Sequence, residues 1–532
     1  MIKIEPFGPL ATGITRALSI DTAIAEPVQP HRDGAQDPQA YKAYLRGKYV
    51  FDHMNSASDV DIALGLYRQA VSLEPALVEA YAGIGEVLLH QGKYDPAIRE
   101  LQAGLAEARQ RGRRPDEVAI LKLLSRAHDR LGNWQEALDE GHRAVEIARD
   151  LGDLAGEADS LGQIISVLRK QSKNDLAMAM FQRVVEINRQ LDDHEKILSA
   201  LFEMGTLYVN MNDHTRARGL FEEALGAAQE QGNQSLIAQG MTLVGAACVR
   251  EGNYSEGMRY FREGLEIGRR IGDQDRIGEC TADIGIIHVI WGEYHEALKY
   301  LEAAVEMAHA AGSRRAKAIS LISLAHAEGM LGKYDRAITH ATEAASIAGD
   351  LNLSDISVLA MNCVGDMHLY HGDHERAARQ FKDAITFAEK TETRILVDSS
   401  LIGLATAFTQ ALASSASLAC AERALKEAAK SNDPSARFIS SAYIGAAEVR
   451  LHDFESGIEK LYDSYSEAQK NGDFYEELRV QRLLGEALFH NAPTSHDREQ
   501  GRRILQNALA SATAREVPHE IRWINKILSS SE

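Results

Sequence analysis

Between Pro115 and Pro434 the sequence contains no proline. A proline inside a helix costs about 3 kcal/mol, so a stretch this long without one is what a continuous run of helices selects. Five of the eleven prolines, Pro6, Pro9, Pro27, Pro30 and Pro38, crowd instead into the first 38 residues. Cysteine is scarce. Cys248, Cys280, Cys363 and Cys420 lie far apart, form no CxxC pair and sit among small apolar residues, so buried, reduced thiols in a cytosolic protein are expected. No run of 18 apolar residues occurs, and Glu5 and Pro6 interrupt the short apolar stretch at Met1–Leu10, so neither a membrane span nor a secretory signal is predicted and a soluble, cytoplasmic location is expected. Positive charge is in deficit. With 58 basic and 77 acidic residues the formal charge is −19, which argues against nucleic acid or an anionic membrane as partner. No strand pattern leads into a phosphate-binding glycine loop, and no Ser/His/Asp or Cys/His set has the context of a nucleophile. Neither catalysis nor a cofactor is expected.

What the sequence does have is a period. An aromatic residue or its stand-in recurs every 40 positions: Tyr94, Trp134, Asn174, His214, Tyr254, Tyr294, Tyr334, His374, Ser414, Phe454. Three residues after each stands a small one, from Ala97 and Ala137 through Gly257 to Ser417 and Gly457. A period this constant means one supersecondary unit stacked many times, because each unit buries its apolar face only against its neighbours. Within residues 237–276, Met241, Val244, Gly245 and Cys248 make one helical stripe, and Gly257, Phe261, Gly264 and Ile267 make a second. Gly252 and Gly272 break the two helices, and Asn253 and Asp273 are placed to cap the helices that follow. The aromatics are expected to fill the wedge between successive pairs. Asp37-Pro38 reads as an N-cap and first helical residue. Residues 1–36 are therefore expected to be a flexible tail, and 37–530 an α-solenoid. Counting the small residue of each second helix gives twelve units, followed by a terminal capping helix over 519–529. Ser414 and Ser417 in one unit, and the Asn491–Ser495 insertion in another, predict local looseness or a kink near 410–417 and 491–500.

Gly205/Tyr208/Ala217/Phe221/Ala224 and Gly85/Tyr94/Ala97/Leu101/Gly104 carry a resemblance to the tetratricopeptide repeat. The first unit keeps the 34-residue spacing from Ala63 to Ala97. Later units are six residues longer, similar to the extended variant of Pins-type polarity scaffolds and of peptide-sensing bacterial regulators. The stretch from Ala40 to Ile84 also resembles repeats that follow effector domains in bacterial cyclases and regulators. The resemblance implies an all-α, right-handed superhelical solenoid whose first helices line a concave, peptide-binding groove.

Projected onto this chain, that groove would present Lys122, Arg126, Arg130, Arg169, Lys170 and Arg250 towards the N-terminal half, then Ile286, Val289, Ile290, Ile322, Met330, Leu369 and Tyr370 in the middle. A basic stretch followed by an apolar one suits a protein or peptide with an acidic end and hydrophobic anchors. The paired Lys and Asn residues of the chaperone-tail clamp do not occur in adjacent units. His368, His371 and His374 could in principle gather around zinc, but His368 and His374 occupy repeat positions that hold packed aromatics elsewhere, so no metal is expected. The function so implied is a non-enzymatic scaffold or adaptor. Its alternative is a ligand- or peptide-sensing module of a bacterial signalling or transcriptional system.

Overall fold

A computed structural model of the chain describes residues 37–530, apart from 55, 172, 392, 394, 395 and 432. The tail expected over 1–36 lies outside the described residues. These form 25 helices and no strand: twelve consecutive antiparallel pairs and a last helix, α25, Pro518–Ser529. The first pair is α1, Pro38–Asp52, and α2, Ala57–Leu73, and the later pairs follow the period as far as the longer turn at 491–500. Asp37 caps α1 as its sequence suggests, its carboxylate accepting from the Gln39 amide with Pro38 at the first helical position. Contacts divide the chain into two compact units, Met1–Ala200 and Leu201–Glu532.

The small-residue column holds each pair together. Ala97, Ala137, Ala177, Ala217, Ala297, Ala337 and Ala377 have no exposed surface, because the two helices of each pair cross over them. Where the column reads Gly457, the crossing is closer still, and a Cβ on Gly457 or on its partner Gly445 would meet backbone oxygen at 2.5 Å. Ser417 also fits: its hydroxyl donates to the Ala405 carbonyl at 3.1 Å and pairs with the Thr409 hydroxyl at 2.7 Å. The pair around 410–417 thus closes with side-chain hydrogen bonds in place of a methyl contact. At 491–500 the turn is longer. Ala492 leaves the helix extended, and Thr494 caps the next one by accepting from the Asp497 amide.

The inner and outer breaks take the left-handed backbone expected of them, at Gly132 and Gly272 for example. Asp273 caps its helix, accepting from the Arg276 amide at 3.0 Å. Asn253 does not, because its amide is turned back towards Glu251.

In the second unit the solenoid winds until it meets itself. The Asn212 amide donates to the Ser431 carbonyl, the Tyr254 hydroxyl donates to Asn471 at 3.2 Å, and His295 reaches Glu516 at 3.1 Å, contacts spanning 219, 217 and 221 residues. Further along this seam the Tyr370 ring stacks on His519 at 3.9 Å, and Arg522 donates to the Tyr370 carbonyl. The seam explains why the aromatic column is unevenly buried. Tyr294 is 2% exposed within the second unit, whereas Trp134 of the first remains 41% exposed. The wedge between helix pairs does not by itself cover these rings.

Candidate functional site

Each first helix carries a stripe at i, i+3, i+4, i+7 that turns towards the concave side. In the first unit these are Glu79, Ala82, Gly83 and Glu86 of α3 (Val78–His90), Ala119, Lys122, Leu123 and Arg126 of α5 (Arg114–Leu131), and Asp159, Gly162 and Gln163 of α7 (Leu154–Lys170). With Tyr44, Lys48 and Asp52 of α1 they line a cleft of about 630 Å³. Glycine at position 83 lets Tyr67 form the floor, since a Cβ there would meet the ring at 2.6 Å.

The cleft is not a basic strip. Lys122 pairs with Asp159 at 3.1 Å, and Arg113 holds both Glu79 and Asp116 at 2.6 Å. Arg126 lies within electrostatic reach of Glu86, whose carboxyl is pushed up mainly by burial; burial likewise raises the Tyr44 hydroxyl to about 12. The other basic candidates of this unit fall outside the lining: Arg130 is exposed, Arg169 is half-buried, and Lys170 pairs with Asp129 at 2.6 Å.

The same stripe recurs in the second unit. His326 comes from α15 (Arg314–Met330), Asn362 and Asp366 from α17 (Ser354–His371), Ser399, Ile402, Gly403 and Thr406 from α19 (Val397–Gln410), Ile439 from α21 (Pro434–Arg450), and Arg479 from α23 (Phe474–Asn491). They enclose a cavity of about 380 Å³, joined by Asp433, Asp473 and Glu476 at the starts of α21 and α23. Asp366 is pushed up to about 7, by burial first and then by Glu476, against the pull of Arg479. Asp473 also rises to about 7, and burial lowers His326 to about 4.

Of the apolar candidates, Val289, Ile290, Leu369 and Tyr370 line this cavity. Ile286 and Ile322 are half-buried and pack on neighbouring core. Met330 is fully buried and offers no surface to a partner, and the face of Tyr370 is already taken by His519. Met330 is a correction to the sequence reading; Tyr370 reaches the cavity, but the returning C-terminal segment occupies its ring face and its carbonyl. Arg250 is exposed, within electrostatic reach of Asp283 and His214. The acidic groups Asp366, Asp473 and Glu476 were missed. For Asp366 a signal was available, because Glu86, Arg126, His326, Asp366 and Thr406 stand in one 40-residue register; Asp473 and Glu476 lie at a helix start outside it.

His368, His371 and His374 do not converge. His371 packs edge-on against Tyr334, and among the described residues no three His, Cys, Asp or Glu side chains are placed to hold a metal ion.

The sequence profile of the tetratricopeptide repeat matches residues 77–150, 156–230, 236–310 and 283–350, and the helix pairs continue the same register beyond them. The chain is a tetratricopeptide-repeat protein. No curated protein matches it by sequence. Among solved structures, this tetratricopeptide-repeat protein is similar to a Rap protein complexed with competence and sporulation factor, at 14% identity and a TM-score of 0.52, over 68% of this chain and 99% of that one. It is also similar to a signal-transduction ATPase with numerous domains and a tetratricopeptide-repeat sensor from Pyrococcus horikoshii, at 13% identity and a TM-score of 0.45, over 67% of this chain and 61% of that one. At 14% identity the likeness to the Rap protein bears on fold alone. No helix among the described residues is long and apolar enough to cross a membrane.

Proposed function

We propose that this tetratricopeptide-repeat protein is a non-enzymatic interaction module that binds polypeptide segments on its concave faces. The observation that carries this reading is the contrast between two columns of the same repeat. Behind the groove the crossing column keeps small, fully buried residues. On the concave side the register positions that reach the two linings, Glu86 and Arg126 in one and His326, Asp366 and Thr406 in the other, differ in charge and polarity. Packing constrains the first column, and a partner that differs along its length is what the second would fit. Preformed helices also lower the ordering cost of binding an extended segment. The Rap protein of similar fold is complexed with competence and sporulation factor, which accords with this reading. The thiols are all free, which fits action in a reducing cytoplasm. Taken unit by unit, Lys122 and Arg126 suggest an acidic group on a segment bound by the first unit, and Val289 and Ile290 an apolar anchor on one bound by the second.

A second reading, a sensor whose solenoid changes pitch on binding a ligand, is favoured by the seam. Its earlier part includes single polar contacts between helix ends more than 200 residues apart, such as Tyr254–Asn471 and His295–Glu516, and these can part without unpacking a helix pair.

Affinity capture on the immobilised chain tests the first reading, with wild type compared to Arg126→Glu and Asp366→Lys. A partner lost in either variant places binding on the corresponding concave face. Partners retained by both variants overturn it. Small-angle scattering that shows a change in dimensions on adding the captured partner would select the sensor over the adaptor.

A further inference from the structure

The cavity of the second unit sets four carboxylates against one guanidinium. Asp366, Asp433, Asp473 and Glu476 line it together with Arg479. Two of the carboxylates also serve helix starts: Asp433 accepts from the Ala436 amide at 3.0 Å, and Asp473 accepts from the amides of Tyr475 and Glu476 at 2.9 and 3.0 Å. Arg479 approaches Glu476 at 3.5 Å, and it is the only ion pair formed by any of the four among the described residues. Asp366 makes neither a hydrogen bond nor an ion pair there. Burial first, and then the neighbouring Glu476, hold the carboxyls of Asp366 and Asp473 near 7. His326 adds no compensating charge, because burial keeps its ring neutral.

Two neutral groups beside the carboxylates are also incomplete. Tyr294 is 2% exposed and its hydroxyl has no partner among the described residues. Asn362 is 8% exposed; its carbonyl oxygen accepts from the Ser400 hydroxyl at 2.7 Å, which leaves its Nδ2 without an acceptor. A buried polar group left unmatched costs about 1–3 kcal/mol, so donors in this position point to an acceptor that arrives with a ligand. The cavity volume of about 380 Å³ equals that of roughly a dozen water molecules. It therefore takes one or two residues of a chain and not a folded partner. Among the described residues no three His, Cys, Asp or Glu side chains are placed to hold a metal ion, while Arg479 shows that a guanidinium fits among these carboxylates.

We propose that this cavity receives a cationic group of a peptide, a guanidinium or an ammonium, held by Asp366, Asp473 and Glu476, while Tyr294 and Asn362 donate to the adjoining peptide carbonyls. Ile402 and Ile439 supply an apolar wall for a neighbouring side chain. The inference rests on the peptide-binding reading given above and names the ligand of its second concave face as basic.

A library of random heptapeptides with free N-termini, displayed and selected on the full chain, provides the test. Arginine or lysine is expected to be enriched over aspartate and glutamate. Synthetic versions of the selected peptides, measured by calorimetry, should bind about 10–100-fold more weakly to Asp366→Asn and to Asp473→Asn, and about 3–10-fold more weakly to Tyr294→Phe. Asparagine remains a good N-cap, so Asp473→Asn keeps its helix start, and Glu476→Gln serves as the independent variant if either aspartate change perturbs the circular dichroism. Replacing the selected arginine by citrulline, or acetylating the N-terminus, identifies which cation enters the cavity. Selected peptides that carry no required cation, or that bind all four variants as tightly as wild type, overturn this inference while leaving peptide binding intact. Peptides lost only in Arg126→Glu do the same and move the site to the first unit. Selection of no peptide at all overturns the peptide-binding reading itself.

Discussion

Leu412 holds a left-handed backbone, φ 59°, at an inner break where other repeats place glycine, and its side chain is 75% exposed. It bears conformational strain with little burial to offset it. For a residue with a Cβ that conformation costs about 1–2 kcal/mol, partly balanced by the greater unfolded-chain entropy of glycine. Leu412→Gly is therefore expected to stabilise the second unit by about 0.5–1 kcal/mol, read as a rise in Tm of about 1–2 °C. Asp366 makes a second prediction at this scale. Its carboxyl sits near 7 in the folded chain against an ordinary value of 3.8, so the native state holds the proton more tightly than the unfolded one. Stability from this group is thus present at low pH and is lost as pH rises between about 4 and 7. Asp366→Asn removes that loss. Its Tm should exceed that of wild type by a few degrees at pH 8, with the gap narrowing at pH 5. A gap that widens on acidification would contradict the burial of this carboxyl.

Between elements, the most consequential contact is the docking of α25. Arg482 on α23 is 1% exposed, donates to Glu520 at 2.7 Å and lies 5.1 Å from the Trp523 ring centre. Removing one partner of a buried pair strands the other charge, at a cost of about 3–5 kcal/mol, whereas replacing both with apolar groups is often neutral. Arg482→Met is expected to destabilise by about that amount, and Arg482→Met/Glu520→Leu to recover most of it. Chemical denaturation of the three proteins checks this. The capping helix itself was legible over 519–529, because Ile521, Trp523, Ile524 and Ile527 share a helical stripe. Its target was not. Nothing in the spacing says that His519 would lie on Tyr370, a residue 149 positions earlier read as open groove.

At the scale of the molecule, the seam distinguishes loops that look alike in sequence. Gly132 and Gly292 both follow first helices and both have positive φ, 80° and 71°. A Cβ on Gly132 would meet nothing within 4 Å, while one on Gly292 would meet Phe474 at 2.6 Å. Gly132→Ala should cost only the backbone strain, about 1 kcal/mol, and Gly292→Ala about 1–2 kcal/mol more, through the overpacked seam. Hydrogen exchange should then quicken at 292–295 and 471–475 in Gly292→Ala alone. Equal behaviour of the two variants would mean that the seam contributes nothing to stability.

The helix pairs, their caps and their crossings were determined by the sequence itself, because each depends on residues within one 40-residue period: a small residue where helices touch, a glycine where the chain turns, a carboxylate where a helix starts. The candidate groove was legible only in part. Lys122, Arg126, Val289 and Ile290 lie on the lining, since a helix stripe is also a local property. Which parts of that lining stay open was decided by the tertiary structure. The ring face of Tyr370 is covered, and Asp366, Asp473 and Glu476 meet in one cavity, because small rotations between successive repeats add up over five units until distant segments touch. That accumulated angle has no counterpart in any single repeat of the sequence.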